Sequence, residues 1–325
     1  MGFRLGIGNI DLRNIKGAFN WEAYWASRYP SALTLTVDSD TQITLDWTNN
    51  GDTDYDGVSI ERSTDGITYA EIDTGTAGDV QYVDAGLTDN YYWYRIRYYR
   101  GTHYSAYSNV AYNEAPLVIY DGNTVAWYDL TTLTYDGANR VSEWADKLGS
   151  GHDLLQGVGA NQPLLTANGV LFDGVSDFMQ TLAFVYNQPQ FIYFVGRQVT
   201  WTVGRRIYDG TIEQTGTLIQ SALSPEIISF NGIVNPVNNN WILNNFGIIR
   251  QLNNGINSTL QVNQTPIINC NMNIFNMNGF TLATRGNTLS LYSNIEVKEI
   301  PLRRTADNAV TQTIIYDYLE IANGL

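Results

Sequence analysis

Tyr91-Tyr92-Trp93-Tyr94-Arg95-Ile96-Arg97-Tyr98 is the stretch whose reading decides the fold class of this chain. Tyr92, Tyr94, Ile96 and Tyr98 occupy alternate positions, and a period of two sends one such set to a single face of a strand. The same period runs upstream through Leu33, Leu35 and Val37, through Ile43, Leu45 and Trp47, and into Val58 and Ile60. Turn-forming clusters separate these runs: Asn49-Asn50-Gly51-Asp52, Asp65-Gly66 and Asp84-Ala85-Gly86. Short alternating runs punctuated in this way predict a small β-sandwich over residues 31–113. Asn113-Glu114-Ala115-Pro116 reads as the linker that follows it.

Residues 1–30 follow a different period. Trp21, Tyr24, Trp25 and Arg28 stand at i, i+3, i+4 and i+7, which predicts a short helix that Pro30 ends. Phe19, Trp21, Tyr24 and Trp25 put dense apolar surface on this arm, so it is expected to dock on another protein.

Composition narrows the function classes. The 325 residues carry a net charge of −14, and Lys16, Lys147 and Lys298 are the lysines. Charge is unevenly placed: residues 1–30 carry four basic and two acidic side chains, while residues 31–113 carry four and thirteen. Binding to nucleic acid or to an anionic membrane runs on Lys and Arg, so neither partner is expected. Met1 to Gly8 hold no apolar block, so no signal peptide is expected, and no stretch is long enough to span a bilayer. Cys270 has no second cysteine to pair with.

Trp47, the Glu61-Arg62-Ser63 run with its Asp65-Gly66 turn, Leu87, Tyr91 to Ile96 and Tyr107-Ser108-Asn109 resemble a fibronectin type III domain over residues 31–113. The resemblance implies that Trp47 fills the core and that Tyr92 makes a tyrosine corner. Beyond the linker, Val125 to Asp129, Val141 to Lys147, Leu171 to Asp177 and Ser293 to Ile300 resemble, in order, the strands of a laminin-G-like, concanavalin A-like jelly roll over 116–325. Thr313 to Leu319 resembles the short helix that closes it. The chain is therefore expected to be all-β: a short N-terminal arm (1–30), a fibronectin type III sandwich (31–113) and a concanavalin A-like jelly roll (116–325) with a short C-terminal helix.

Catalysis is not expected. Glycoside hydrolysis needs two carboxylates across one bond, and alternate residues of a strand would supply them. Glu296 and Glu299 stand three apart, which predicts opposite faces and solvated charges on a late strand. His103 and His152 sit in no metal-ligand spacing. Asp52, Asp54 and Asp56 before Gly57 match half of a calcium loop, but Ser63 stands where the bidentate Glu is required. A solvated turn is the favoured reading there, with weak Ca2+ binding as the alternative, and no other cofactor is expected.

Sugar rings stack on aromatics while their hydroxyls seek amides. The Asn-rich segment from Asn231 to Asn278 therefore makes Trp201, Trp241, Asn239 and Asn240 the candidate carbohydrate contacts. The whole arrangement resembles fibre or capsid-decoration proteins of tailed bacteriophages. That resemblance implies a structural virion protein, assembled in the host cytoplasm as a homo-oligomer, docked on other virion proteins by residues 1–30 and presenting its jelly roll to host-surface polysaccharide. Two alternatives stand beside it: a structural component whose jelly roll contacts neighbouring proteins, and a secreted glycan-binding protein or glycoside hydrolase.

Overall fold

A computed structural model of the chain describes residues 28–50, 55–88, 91–212 and 214–325. The predicted helix at Trp21 and the arm aromatics Phe19, Trp21, Tyr24 and Trp25 lie outside the described residues. The chain divides into two compact units, one ending at Leu117 and the other beginning at Val118.

In the first unit, alternation becomes two facing sheets. One has the order β1 (Ser31–Ser39), β2 (Gln42–Thr48), β5 (Gln81–Ala85). The other runs β4 (Ala70–Thr76), β3 (Gly57–Ser63), β6 (Trp93–Arg100), β7 (His103–Tyr104), with β8 (Ala111–Tyr112) also paired to β6. Ile43, Leu45 and Trp47 from one sheet meet Ile60, Tyr94, Ile96 and Tyr98 from the other in one core. Trp47 is buried there as expected, and the Tyr92 hydroxyl donates to the Thr88 carbonyl (3.0 Å) and accepts from the Thr88 amide (3.2 Å). That is the tyrosine corner. Gly57 lets β3 approach β4, since a Cβ there would lie 2.1 Å from the Gly75 carbonyl oxygen.

The second unit is a larger sandwich. One sheet has nine strands in the order β10 (Leu133–Tyr135), β11 (Val141–Trp144), β12 (Leu154–Leu155), β15 (Met179–Gln180), β24 (Thr281–Leu282), β17 (Arg206–Asp209), β18 (Thr217–Gln220), β19 (Ile227–Phe230), β20 (Val234–Asn238). The other runs β13 (Leu164–Leu165), β14 (Val170–Asp173), β25 (Asn294–Arg303), β16 (Gln190–Gln198), β21 (Gly247–Asn253), β22 (Ser258–Val262), β23 (Ile268–Cys270), with β9 (Thr124–Tyr128) paired to β25. Trp144, Leu154, Tyr208 and Leu218 of the first sheet share one core with Phe172, Phe194, Ile249 and Ile295 of the second.

Helix α1 (Ala309–Asn323) extends beyond the expected 313–319 at both ends. Asn308 caps it by accepting from the amides of Val310 (2.9 Å) and Thr311 (3.0 Å), and Gly324 ends it in the left-handed region. Its buried residues Ile315, Tyr316, Tyr318 and Leu319 lie outside the inter-sheet core. They cover the outer face of the second sheet, where Tyr318 reaches Glu299 and Tyr316 reaches Arg250.

The expectation for Glu296 and Glu299 is overturned. Val195 pairs with Glu299 and Gly196 with Val297, so Lys298 is an extra residue in β25 and the strand changes phase across it. Ile295 and Val297 point into the core before the bulge, Ile300 and Leu302 after it. Glu296 and Glu299 therefore share the outer face, and both are buried rather than solvated.

Candidate functional site

The Asn-rich segment builds a groove of about 850 Å³ where three loops converge, the approach to β16, the turn after β21 and residues 271–276, with Ile233 of the β19–β20 turn completing the lining. Gln188 fastens them. Its amide nitrogen donates to the carbonyls of Asn273 (2.8 Å) and Phe275 (3.0 Å), and its amide oxygen accepts from the Gly255 amide (2.9 Å). The Asn231 side chain donates to the same two carbonyls, at 2.7 and 3.1 Å. With its carbonyls so engaged, the 273–275 backbone is held while the Asn273 and Ile274 side chains line the groove.

Asn187, Asn254 and Asn273 also line it, and their side-chain amides make no hydrogen bond among the described residues. Each amide offers two donors and an acceptor with two lone pairs, the complement of a sugar hydroxyl. Ile256 and Ile274 stand at the same groove, each 79% exposed. Gly232 sits against it in the left-handed region, and a Cβ there would meet the Asn273 side-chain nitrogen at 2.5 Å.

The residues singled out from sequence fall elsewhere. Trp241 is 2% exposed and belongs to the inter-sheet core, so it presents no stacking face, and Trp201 packs partly buried against that core, away from the groove lining. The Trp241 indole, in the connection between β20 and β21, fills core volume, and burying so large a ring is strongly favourable. Asn240 donates from its side chain back to Asn238 (3.0 Å), while Asn239 is exposed. The polar partners that do line a groove were missed individually. Composition marked their segment, but Gln188 and Asn187 lie far upstream and only the fold brings them in.

Asp52 and Asp54 lie outside the described residues, and Asp56 accepts from the Gly101 amide (2.8 Å). Among the described residues no cluster of three His, Cys, Asp or Glu side chains could hold a metal ion. Cys270 is buried, and burial pushes its thiol up to about 11.

The buried carboxylates are engaged one by one. Glu296 is held by Arg197 (2.6 Å) and by the Thr166 hydroxyl. Glu299 accepts from the Trp127 indole (2.8 Å), the Tyr318 hydroxyl (2.7 Å) and the Asn323 amide (2.7 Å). Burial raises Glu299 above the usual carboxylate range despite these three bonds. Asp209, missed in the sequence, accepts from the Thr217 hydroxyl (2.5 Å) and from the amides of Gly210 (2.9 Å), Gln214 (3.0 Å), Thr215 (3.2 Å) and Gly286 (3.1 Å). Burial again raises it, and its role is to tie two loops to the end of β17.

No protein-family model matches the chain, and no curated protein matches it. Among solved structures it is similar to an Fn3-like protein from Clostridium thermocellum: 25% identity, 26% of this chain, 88% of that one, TM-score 0.23. It is also similar to Trypanosoma rangeli sialidase in complex with sialic acid: 12% identity, 86% of this chain, TM-score 0.48, with 51% of the sialidase chain spanned. Titin kinase with its flanking domains is a third, at 17% identity and TM-score 0.22 over 25% of this chain and 16% of that one. At these scores the likenesses add nothing to the strand order and side-chain geometry described above.

Proposed function

We propose that the chain is a structural display protein: a fibronectin type III-like spacer followed by a concanavalin A-like jelly roll that binds polysaccharide in the amide-lined groove. The observation that carries this reading is the set of three amides, Asn187, Asn254 and Asn273, lining one groove with no hydrogen bond among the described residues. An open groove lined by amides gives weak contacts per sugar, and useful affinity then comes from many copies acting together. Binding is proposed rather than hydrolysis, because Glu296 and Glu299 are each engaged by structural partners. The setting we propose, on the sequence resemblance, is a phage fibre or capsid decoration, assembled in the host cytoplasm and docked on other virion proteins through residues 1–30.

The full chain, displayed multivalently on a panel of bacterial surface polysaccharides, is expected to bind at least one of them. Replacing Asn187, Asn254 and Asn273 together by Ala should weaken that binding about tenfold or more with Tm unchanged. Absence of binding to every polysaccharide would refute adhesion. A second reading is favoured by Ile256 and Ile274, whose exposed side chains at the groove suit a neighbouring protein. It predicts a glycan-negative chain whose assembly into particles fails when both isoleucines become Asp.

A further inference from the structure

Two arginines lie on the outer face of the second sheet of the larger unit, and they are treated very differently. Arg303, 1% exposed, donates to both oxygens of Asp307, to both of Asp121, to the Val118 carbonyl and to the Thr124 hydroxyl. Arg250, at the centre of β21, is 8% exposed. Its guanidinium makes one hydrogen bond among the described residues, from Nη2 to the Asn263 carbonyl (2.7 Å). It stacks 4.7 Å from the Tyr316 ring centroid, its Nε is buried without a partner, and no described carboxylate comes within ion-pairing distance.

A buried cation normally has its counter-charge supplied by the fold, because leaving it unpaired is strongly unfavourable. Arg250 instead lines a cavity of about 320 Å³ between α1 and the strands β21 and β22, shared with Gln261, Gln264, Gln312, Thr313 and Asp317. That volume is at the lower end of the roughly 300–1,000 Å³ of small-molecule sites.

We propose that this cavity binds the carboxylate of an acidic sugar unit, seated on the Arg250 guanidinium. A planar guanidinium with free donors matches a carboxylate in a paired, two-bond geometry. The amide nitrogens of Gln261 and Gln312 donate to the carbonyls of Thr265 (2.6 Å) and Asp307 (2.8 Å), which leaves their amide oxygens, with the Gln264 amide, to meet ring hydroxyls. A single cation with Asp317 at the same cavity selects a monoanion over a phosphate dianion. Burial holds Arg250 below its ordinary range, and the nearby Tyr193, Tyr316 and Asp317 offset that only in part. Carboxylate recognition stands on Arg250 alone; that a sugar carries the carboxylate rests on the polysaccharide reading above.

Titration of the full chain with D-glucuronate, D-glucose and acetate, followed by ligand-observed NMR and calorimetry, tests this. Glucuronate is expected to bind saturably, with glucose and acetate each at least tenfold weaker. Arg250→Gln should weaken glucuronate tenfold or more. Asp317→Asn, on an exposed helix position where folding is not at risk, should tighten it about threefold at low salt and less at high salt. No glucuronate binding, equal binding by Arg250→Gln, or no gain with Asp317→Asn overturns the site. Acetate binding as tightly as glucuronate overturns the sugar assignment. The triple Asn variant leaves this cavity untouched, so glucuronate binding that survives in it separates failure of the groove from failure of this site.

Discussion

The two units bury polar groups with a different balance of charged and neutral partners. The fibronectin type III-like unit matches charge against charge: Glu61 takes Arg95 (2.7 Å) and Arg97 (2.9 Å), and Asp84 takes Arg62 (2.7 Å) and the Tyr94 hydroxyl (2.9 Å). The larger unit keeps its ion pairs to the outside of its sheets and adds a chain of neutral groups through its interior, from the Tyr208 hydroxyl to Gln251 (2.8 Å), on to Asn253 (2.8 Å) and then to Gln190 (3.3 Å). Gln198 is buried with neither amide atom partnered among the described residues. A unit that pairs its charges internally suits a spacer. A unit that leaves amides and one guanidinium unsatisfied has recognition capacity to offer.

The sharpest way to break this contrast is at Arg303, the most deeply buried of the sites, with Arg197–Glu296 (2.6 Å) and Lys147–Asp129 (2.5 Å), where the larger unit also pairs charge against charge. Arg303→Met would strand the carboxylates of Asp121 and Asp307. It should cost about 3–5 kcal/mol in that unit alone, read by calorimetry as a lowered transition with the other unit's transition unmoved. The converse change is Tyr92→Phe, which removes the hydroxyl that serves the Thr88 backbone. A loss of about 1–2 kcal/mol confined to the smaller unit is expected, by urea unfolding.

The smallest effect is expected at Asp177. Burial, and then repulsion from Asp173, raise its carboxyl to about 6. A carboxylate that binds its proton more tightly when folded opposes folding above that pH, and the penalty fades as pH falls from 6 through the ordinary range near 4. Asp177→Asn keeps an acceptor for the Asp173 amide and should raise stability by about 1 kcal/mol at pH 7, after solvent screening. That gain should shrink to nothing near pH 4, and a Tm difference that does not change with pH would contradict it.

These contrasts were unequally visible in the sequence. Alternation at Tyr92 to Tyr98 and at Ile43 to Trp47 showed the strands and their inward faces, because a period of two is a local property. The bulge at Lys298 was hidden: it exists only as a count of residues against the partner strand, so Glu296 and Glu299 were assigned to opposite faces. Trp241 was misread for a related reason, since its polar neighbours Asn238 to Asn240 describe a loop while its own ring is core. The groove was half visible. Asn-rich composition marked residues 231–278, yet which amides stay unpaired depends on Gln188 and Asn231 engaging the 273–275 backbone, a tertiary fact. Arg250 carried no sequence signal, because a missing partner is a property of the folded neighbourhood.

The central claim, that polysaccharide lands on the amide-lined groove, is tested most directly by hydrogen–deuterium exchange of the full chain with and without a polysaccharide that it binds. Slowed exchange in residues 187–188, 231–233, 254–256 and 271–276, with the fibronectin type III-like unit unchanged, is the predicted result. Protection confined to residues 31–113, or an unchanged groove at saturating polysaccharide, would contradict it.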